Sequence, residues 1–265
     1  MKYPKKSLGQ NFLIDHNVKR KIISSIKLIN KKVLEIGPGK GFLTDEILKH
    51  KPKLLTLVEK DNFMAQDLKY KYRNNKNVKI YNKDILKFDI EKEIRKNTLV
   101  FGNLPYNISS QILVKFLKFK KWPPKFSNLV FMFQKEMSER VVGKFNSNSY
   151  GRLSILTDFR LKILKKFDVS PNCFTPRPKV NSTVMYFEPK KNISYNIKNI
   201  DNLEKITNIF FSNKRKMINK TFKKLKIENN KFIKSEKIDL TLRPEKVSEN
   251  LFYKITEFYE KSQIK

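Results

Sequence analysis

One cysteine, two histidines and no long apolar run stand in these 265 residues, and each scarcity excludes a class of protein. A lone Cys173 rules out an internal disulfide and leaves no CxxC pair for metal or redox chemistry, so a reducing compartment, the cytoplasm, is the expected setting. His16 and His50 are widely separated and fall in no motif, so no metal site is expected and both imidazoles are predicted at the surface. The chain nowhere reaches the roughly 18 consecutive apolar residues of a membrane-spanning helix, which predicts a soluble protein without a membrane partner. Met1 to Leu13 is basic and lacks the apolar stretch of a signal peptide, leaving little room for a removable targeting segment. Acid is scarce too: 25 Asp and Glu stand against 58 Lys and Arg, a formal net charge of +33. Lys, Asn and Ile are abundant together, as drift in an AT-rich coding sequence would make them, yet so basic a surface attracts polyphosphate whatever its origin. Nucleic acid is the expected partner class.

The length allows one full α/β core and a small second domain. From Lys32 onward short apolar strands alternate with longer amphipathic segments, as in βαβ units that build a parallel sheet. Strands are predicted at Val33–Gly37, Leu54–Val58, Val78–Tyr81, Thr98–Gly102 and Leu129–Phe133, with helices at Phe42–Lys49, Asp61–Tyr72 and Ser109–Phe119. Glu136–Val142 and Gly151–Phe159 read as further helices, and Leu161–Val169 and Thr183–Phe187 as the last two of seven strands. Glu188–Asn199 has linker composition, and divides an expected domain over residues 1–190 from a helical one over 200–265. In the second, Leu203, Ile206, Ile209 and Phe210 form an apolar face, and Lys214, Arg215, Lys216, Lys220, Lys223 and Lys224 add charge. No internal repeat is present.

Glu35-Ile36-Gly37-Pro38-Gly39-Lys40-Gly41 falls between the first strand and the first helix, where glycines permit a tight turn and a close approach of ligand to backbone N–H groups. Such turns also serve dinucleotides or merely reverse the chain. Here the spacing departs from the G-x-G-x-x-G pyrophosphate fingerprint and Pro38 removes a donor, which favours a nucleoside-type cofactor without phosphates. Glu59, ending the second strand, is placed to accept from ribose hydroxyls, and Asp84, just past the third, from an adenine amino group. Either acid alone would pass for a solvated strand-end carboxylate; in series with the glycine loop they become candidate ligand contacts.

Asn103-Leu104-Pro105-Tyr106 follows the fourth strand and so lies on the same sheet edge. The exocyclic N6 of adenine is a poor nucleophile because its lone pair is delocalised into the ring. Two acceptors aimed at its hydrogens, the Asn103 side-chain oxygen and the Leu104 carbonyl, would localise that pair and favour the transition state. Pro105 stiffens the turn, and Tyr106 offers a stacking face worth about 1–3 kcal/mol per base. The plainer reading is an Asx-type turn closing a strand, with Tyr106 an ordinary half-buried aromatic. Cys173 invites a covalent-nucleophile reading, for which adenine N6 chemistry has no use.

These residues resemble, over nearly the whole chain, the rRNA adenine N6-dimethyltransferases of the KsgA type, which act on the small ribosomal subunit. The resemblance rests on Lys6–Leu13, Glu35–Gly41, Glu59, Asp84, Asn103–Ser109, Gln134–Glu136, Tyr150–Ser154 and Phe174–Val180, in family order. It implies a Rossmann-like class I methyltransferase fold using S-adenosylmethionine, a seven-stranded mostly parallel sheet with its last strand antiparallel, and a helical C-terminal domain that helps dock on the small subunit. The implied reaction places two methyls on N6 of each of two adjacent adenosines near the 3′ end of small-subunit rRNA, performed by a monomer during subunit biogenesis. By position, Asn11 and Leu13 would contact the methionine part of the cofactor, Gly37 and Gly39 its loop side, Glu59 the ribose, Asp84 the adenine, and Asn103 both cofactor and target. Phe174 would stack on the flipped target base opposite Tyr106. A large-subunit rRNA adenine methylase of the antibiotic-resistance type shares this motif order, and a non-catalytic RNA-binding assembly or transcription factor could descend from it. Leu104 and the long Phe174 motif favour the small-subunit enzyme, and the intact cofactor and Asn103 motifs argue for retained catalysis.

Overall fold

The computed structural model describes residues 11–228 and 230–263; Lys6 to Gln10, the start of the first motif, lie outside them. Nine strands are described: β1 (Phe12–Leu13), β2 (Lys32–Ile36), β3 (Leu54–Glu59), β4 (Val78–Asn82), β5 (Thr98–Asn103), β6 (Phe126–Gln134), β7 (Leu161–Val169), β8 (Phe174–Thr175) and β9 (Ser182–Pro189). All but β1 and β8 form one seven-stranded sheet in the order β4-β3-β2-β5-β6-β9-β7. From β4 to β6 every pairing is parallel, and β9 runs antiparallel to β6. The seven expected strands are therefore present in the expected class of sheet.

Strands β3, β5 and β6 carry near-continuous apolar runs, as expected where both faces of a sheet are covered. On one face Leu55, Leu57, Leu99 and Phe101 share a buried cluster with Ile23 of α1 (His16–Ser24), Ile47 of α2 (Phe42–Lys49) and Leu68 of α3 (Asn62–Lys71). A short α4 (Ile90–Glu93) follows, and then α5 (Ser109–Leu117) covers the opposite face, its Phe116 ring meeting Phe131 at 5.5 Å between centroids. Asp15 and Asp61 cap α1 and α3 by accepting from first-turn N–H groups, which fixes where each helix begins.

The small β1–β8 ladder has no counterpart in the sequence reading. It pairs Phe12 with Thr175 and Leu13 with Phe174, and the Ile14 N–H donates to the Cys173 carbonyl at 2.9 Å. Two-residue strands are too short for alternation to register, yet this ladder joins two motifs from opposite ends of the unit.

That unit comprises the residues up to Ser138 and Lys162–Pro189; a second comprises Glu139–Leu161 and the chain from Lys190. The end of α6 (Lys135–Val141) and all of α7 (Arg152–Arg160) thus group with α8 (Ile200–Ser212), α9 (Asn219–Leu225), α10 (Asn230–Ser235) and α11 (Glu249–Ser262), whereas the expected boundary assigned them to the sheet domain. The physical reason is packing. Tyr150 donates to the Val247 carbonyl at 2.9 Å, Tyr253 donates to Asp158 Oδ2 at 2.8 Å, and the Phe159 and Tyr253 rings lie 5.0 Å apart. Phe210 centres this unit, with Phe252 at 5.2 Å and Phe222 at 5.9 Å.

Phe210→Ala should lower stability by about 3–5 kcal/mol, because it leaves a cavity among fully buried rings. Leu164→Ala, at a side chain 48% exposed, should change it by less than about 0.5 kcal/mol. Urea denaturation followed by circular dichroism measures both.

Candidate functional site

Strand order reverses at β2, from which the chain builds outward to β3 and β4 on one side and to β5 and β6 on the other. Crevices at such switch points, outside the carboxyl ends of parallel strands, are where α/β sheets take ligands. The glycine loop, Glu59, Asp84 and Asn103 all follow those ends. Together they line one cavity with Asn11, Leu13, Leu104 and Tyr106.

The glycine loop follows β2 and leads straight into α2. Gly39 holds φ at +57°, and a Cβ there would sit 2.7 Å from the Phe12 ring, so both backbone and space demand glycine. Gly37 is also left-handed at +63°, and a Cβ there would meet nothing within 4 Å. The loop is tied to the next strand by two hydrogen bonds. The Gly37 N–H donates to the Val58 carbonyl at 2.9 Å and the Gly39 N–H to Glu59 Oε2 at 3.0 Å.

Glu59 also accepts from the Asp61 N–H through Oε1 at 2.8 Å, so each carboxylate oxygen is held by one backbone donor. Burial raises its pKa, while the N–H groups of Asp61 and Gly39 oppose that rise. Asp84 is in the reverse situation. Its Oδ2 lies 2.8 Å from the Lys60 ammonium and its Oδ1 accepts from the Leu86 N–H at 2.9 Å, and the bond from Lys60 is the main cause holding the carboxyl below its usual range. Asp84 is therefore ionised and acts only as an acceptor. Glu35, 2% exposed, accepts from the Thr44 hydroxyl at 2.7 Å, and burial pushes its pKa up to about 8.

The Asn103 side chain donates from Nδ2 to the Asn11 backbone carbonyl at 2.8 Å. With its amino end engaged there, the amide presents Oδ1 as its acceptor end. Leu104 is 1% exposed, which pins the backbone carrying the neighbouring carbonyl. Tyr106 is half-buried, and its hydroxyl lies 2.8 Å from the Ser182 hydroxyl.

Phe174 stands apart from this group. It was expected opposite Tyr106 with a face free for a base; it is 3% exposed, belongs to the apolar cluster under the sheet and does not line the cavity. The ladder that pairs it with Leu13 directs it into the core. His16 and His50 are both exposed. Lys60, Ile85 and Phe42 line the cavity without having been singled out from the sequence. Each directly follows a residue that was, Glu59, Asp84 and Gly41, and that adjacency was the available signal. Among the described residues no group of three or more His, Cys, Asp or Glu side chains is placed to hold a metal ion, and no helix is long and apolar enough to cross a membrane.

A sequence model of the ribosomal RNA adenine dimethylase family matches residues 1–261. The chain is 48% identical over 258 residues to the ribosomal RNA small subunit methyltransferase A of Pelagibacter ubique, covering 97% of each. It is 41% identical over 266 residues to the protein of that name from Malacoplasma penetrans, covering 97% of this chain and 93% of the other. Among solved structures, a dimethyladenosine transferase from Plasmodium falciparum superposes with a TM-score of 0.75 at 26% identity, over 95% of this chain and 98% of that one. The 23S rRNA methyltransferase ErmE superposes at 0.69 and 21% identity, over 94% and 99%, a likeness of fold alone.

Glu35 generates a pH prediction. Its carboxyl pKa rises from an ordinary 4.5 to about 8 on folding, so its contribution to stability is fully present below 4.5 and is lost as pH rises through about 8. Glu35→Gln should remove that dependence. Urea denaturation should find the variant gaining stability relative to wild type between pH 5 and pH 8.5; a constant difference would contradict the assignment.

Proposed function

The chain belongs to the ribosomal RNA adenine dimethylase family, and from that premise we propose that it dimethylates N6 of two adjacent adenosines near the 3′ end of small-subunit rRNA. S-adenosylmethionine is the methyl donor in this reading, and a maturing small subunit in the cytoplasm is the substrate.

The cavity suits a nucleoside-bearing donor without phosphates. Glu59 and Asp84 are acceptors for hydroxyl and amino groups, Ile36, Phe42 and Ile85 supply apolar walls, and the Cβ position of Gly37 faces open space. Glu59 would hold the ribose, Asp84 the adenine amino group, and Asn11 and Leu13 the methionine part. When bound, S-adenosylmethionine supplies an electrophilic methyl on its sulfonium. Lys60 and Asp84 already form an ion pair at 2.8 Å, and the carboxylate oxygens keep lone pairs for a further donor.

Asn103 carries the reading. Its Nδ2 bond to the Asn11 carbonyl turns Oδ1 into an acceptor for one N6 proton of the target adenine, and the Leu104 carbonyl accepts the other. The nitrogen lone pair is thereby withdrawn from the ring and localised for attack. Tyr106 stacks against the extruded base, offsetting part of the few kcal/mol that flipping costs. Phe174, buried across the ladder from Leu13, supports the cavity wall in this account. The helical unit, with Lys214, Arg215, Lys216, Lys220, Lys223 and Lys224, supplies phosphate contacts for docking on the particle. A large-subunit target has less behind it, since the relatives at 48% and 41% identity are named for the small subunit.

Calorimetry should detect S-adenosylmethionine binding to the wild type, and Asn103→Ala should keep that affinity largely intact. Single-turnover methyl transfer to small-subunit RNA should fall about 10²–10³-fold or more in the variant, the scale of losing one preorganised hydrogen-bonding group at a reacting centre. Wild-type turnover by Asn103→Ala would sink the mechanism.

A further inference from the structure

Tyr106 is held at both ends. Its backbone carbonyl accepts from the Ser109 hydroxyl at 3.1 Å, and its phenolic oxygen lies 2.8 Å from the Ser182 hydroxyl, 76 residues away in sequence. Ser182 is fully buried. It opens β9 opposite Gln134 of β6, and the preceding Asn181 carbonyl accepts from the Lys135 N–H at 2.9 Å, so its own position is fixed by the sheet. Between these two anchors the ring is half-buried and lines the cavity.

A stacking platform needs only a π face, which phenylalanine would supply equally well. The hydroxyl is therefore an added function, and here it meets a buried hydroxyl supplied by the antiparallel strand. A tyrosine ring free at its tip keeps rotation about two side-chain torsions, and a base that must be caught in one orientation loses rate to every other ring orientation. Fixing the carbonyl at one end and the phenol oxygen at the other orders a ring that still lines the cavity.

On the reading that this chain methylates a flipped adenine, we propose that Ser182 is a positioning residue for the target base, acting through its hydrogen bond to Tyr106 to hold the stacking ring in its productive orientation. Ser182 touches neither base nor cofactor in this role. The bond, rather than the bulk of either side chain, is what matters, so removing either oxygen should have the same effect.

The experiment compares wild type, Ser182→Ala, Tyr106→Phe and the double variant in single-turnover methyl transfer to small-subunit RNA, alongside calorimetric affinity for S-adenosylmethionine and thermal melting. Each single variant should slow transfer about 3- to 10-fold, the scale of one net hydrogen bond, with cofactor affinity unchanged. The double variant should be no slower than either single one, because both remove one shared interaction. Tyr106→Phe removes only the phenolic oxygen and keeps the aromatic ring, so it keeps the test decisive even if Ser182→Ala folds poorly. Wild-type transfer rates in Tyr106→Phe, effects that multiply in the double variant, or losses in cofactor affinity and melting that match the loss of rate would each overturn the proposal. A wild type that transfers no methyl at all would remove the functional reading and this inference with it, whereas an active wild type with unaffected variants defeats the inference alone.

Discussion

Asn103 is constrained from two directions, and the chemistry assigned to this site depends on both. Its backbone closes β5, paired with Met132 of β6, and its side-chain amide donates to the Asn11 carbonyl at 2.8 Å. An asparagine left free at a strand end would rotate, and either end of its amide could face a ligand. Once the amino end is engaged, the oxygen is the end left to meet a donor. Asn11 is itself positioned by the segment that forms the β1–β8 ladder. A contact between residues 92 apart in sequence thus decides which way the side-chain amide points.

The same economy governs the end of the cavity at the glycine loop. Glu59 ends β3 and ties down the glycine loop through the Gly39 N–H while its own second oxygen is held by Asp61. Desolvation works against the charged form of Glu59, and the two backbone donors work for it. Such opposed effects keep a buried carboxylate available as an acceptor. Asp84 reaches the same end by pairing with Lys60 at the cavity wall. Glu35 differs: buried against Thr44 with its pKa at about 8, it serves the loop as a largely neutral group near neutral pH.

Much of this was legible in the sequence because parallel strands with both faces covered write themselves as apolar runs at regular spacing. The tight turn at Gly39 and the acids at successive strand ends were readable for the same reason, since backbone geometry and strand termini leave local marks. What the sequence concealed is long-range. Nothing local announces that Phe12 and Leu13 pair with Thr175 and Phe174; the family resemblance implied Phe174 as a base clamp, and it is a buried residue of the core. Residues 139–161 looked like part of the sheet domain because they lie between its strands in order, yet Tyr150 and Tyr253 bind them among the helices. The bond between Tyr106 and Ser182 was hidden likewise, although Tyr106 belongs to a recognised motif and Ser182 directly precedes an expected strand.

Mapping of modified adenosines tests the account most directly. Unmethylated small and large ribosomal subunits would be incubated separately with the protein and S-adenosylmethionine, and their RNA digested and read by mass spectrometry. The account predicts N6,N6-dimethyladenosine at two adjacent positions near the 3′ end of the small-subunit RNA and none in the large. Methylation confined to the large subunit, or no methylation of either, would contradict it.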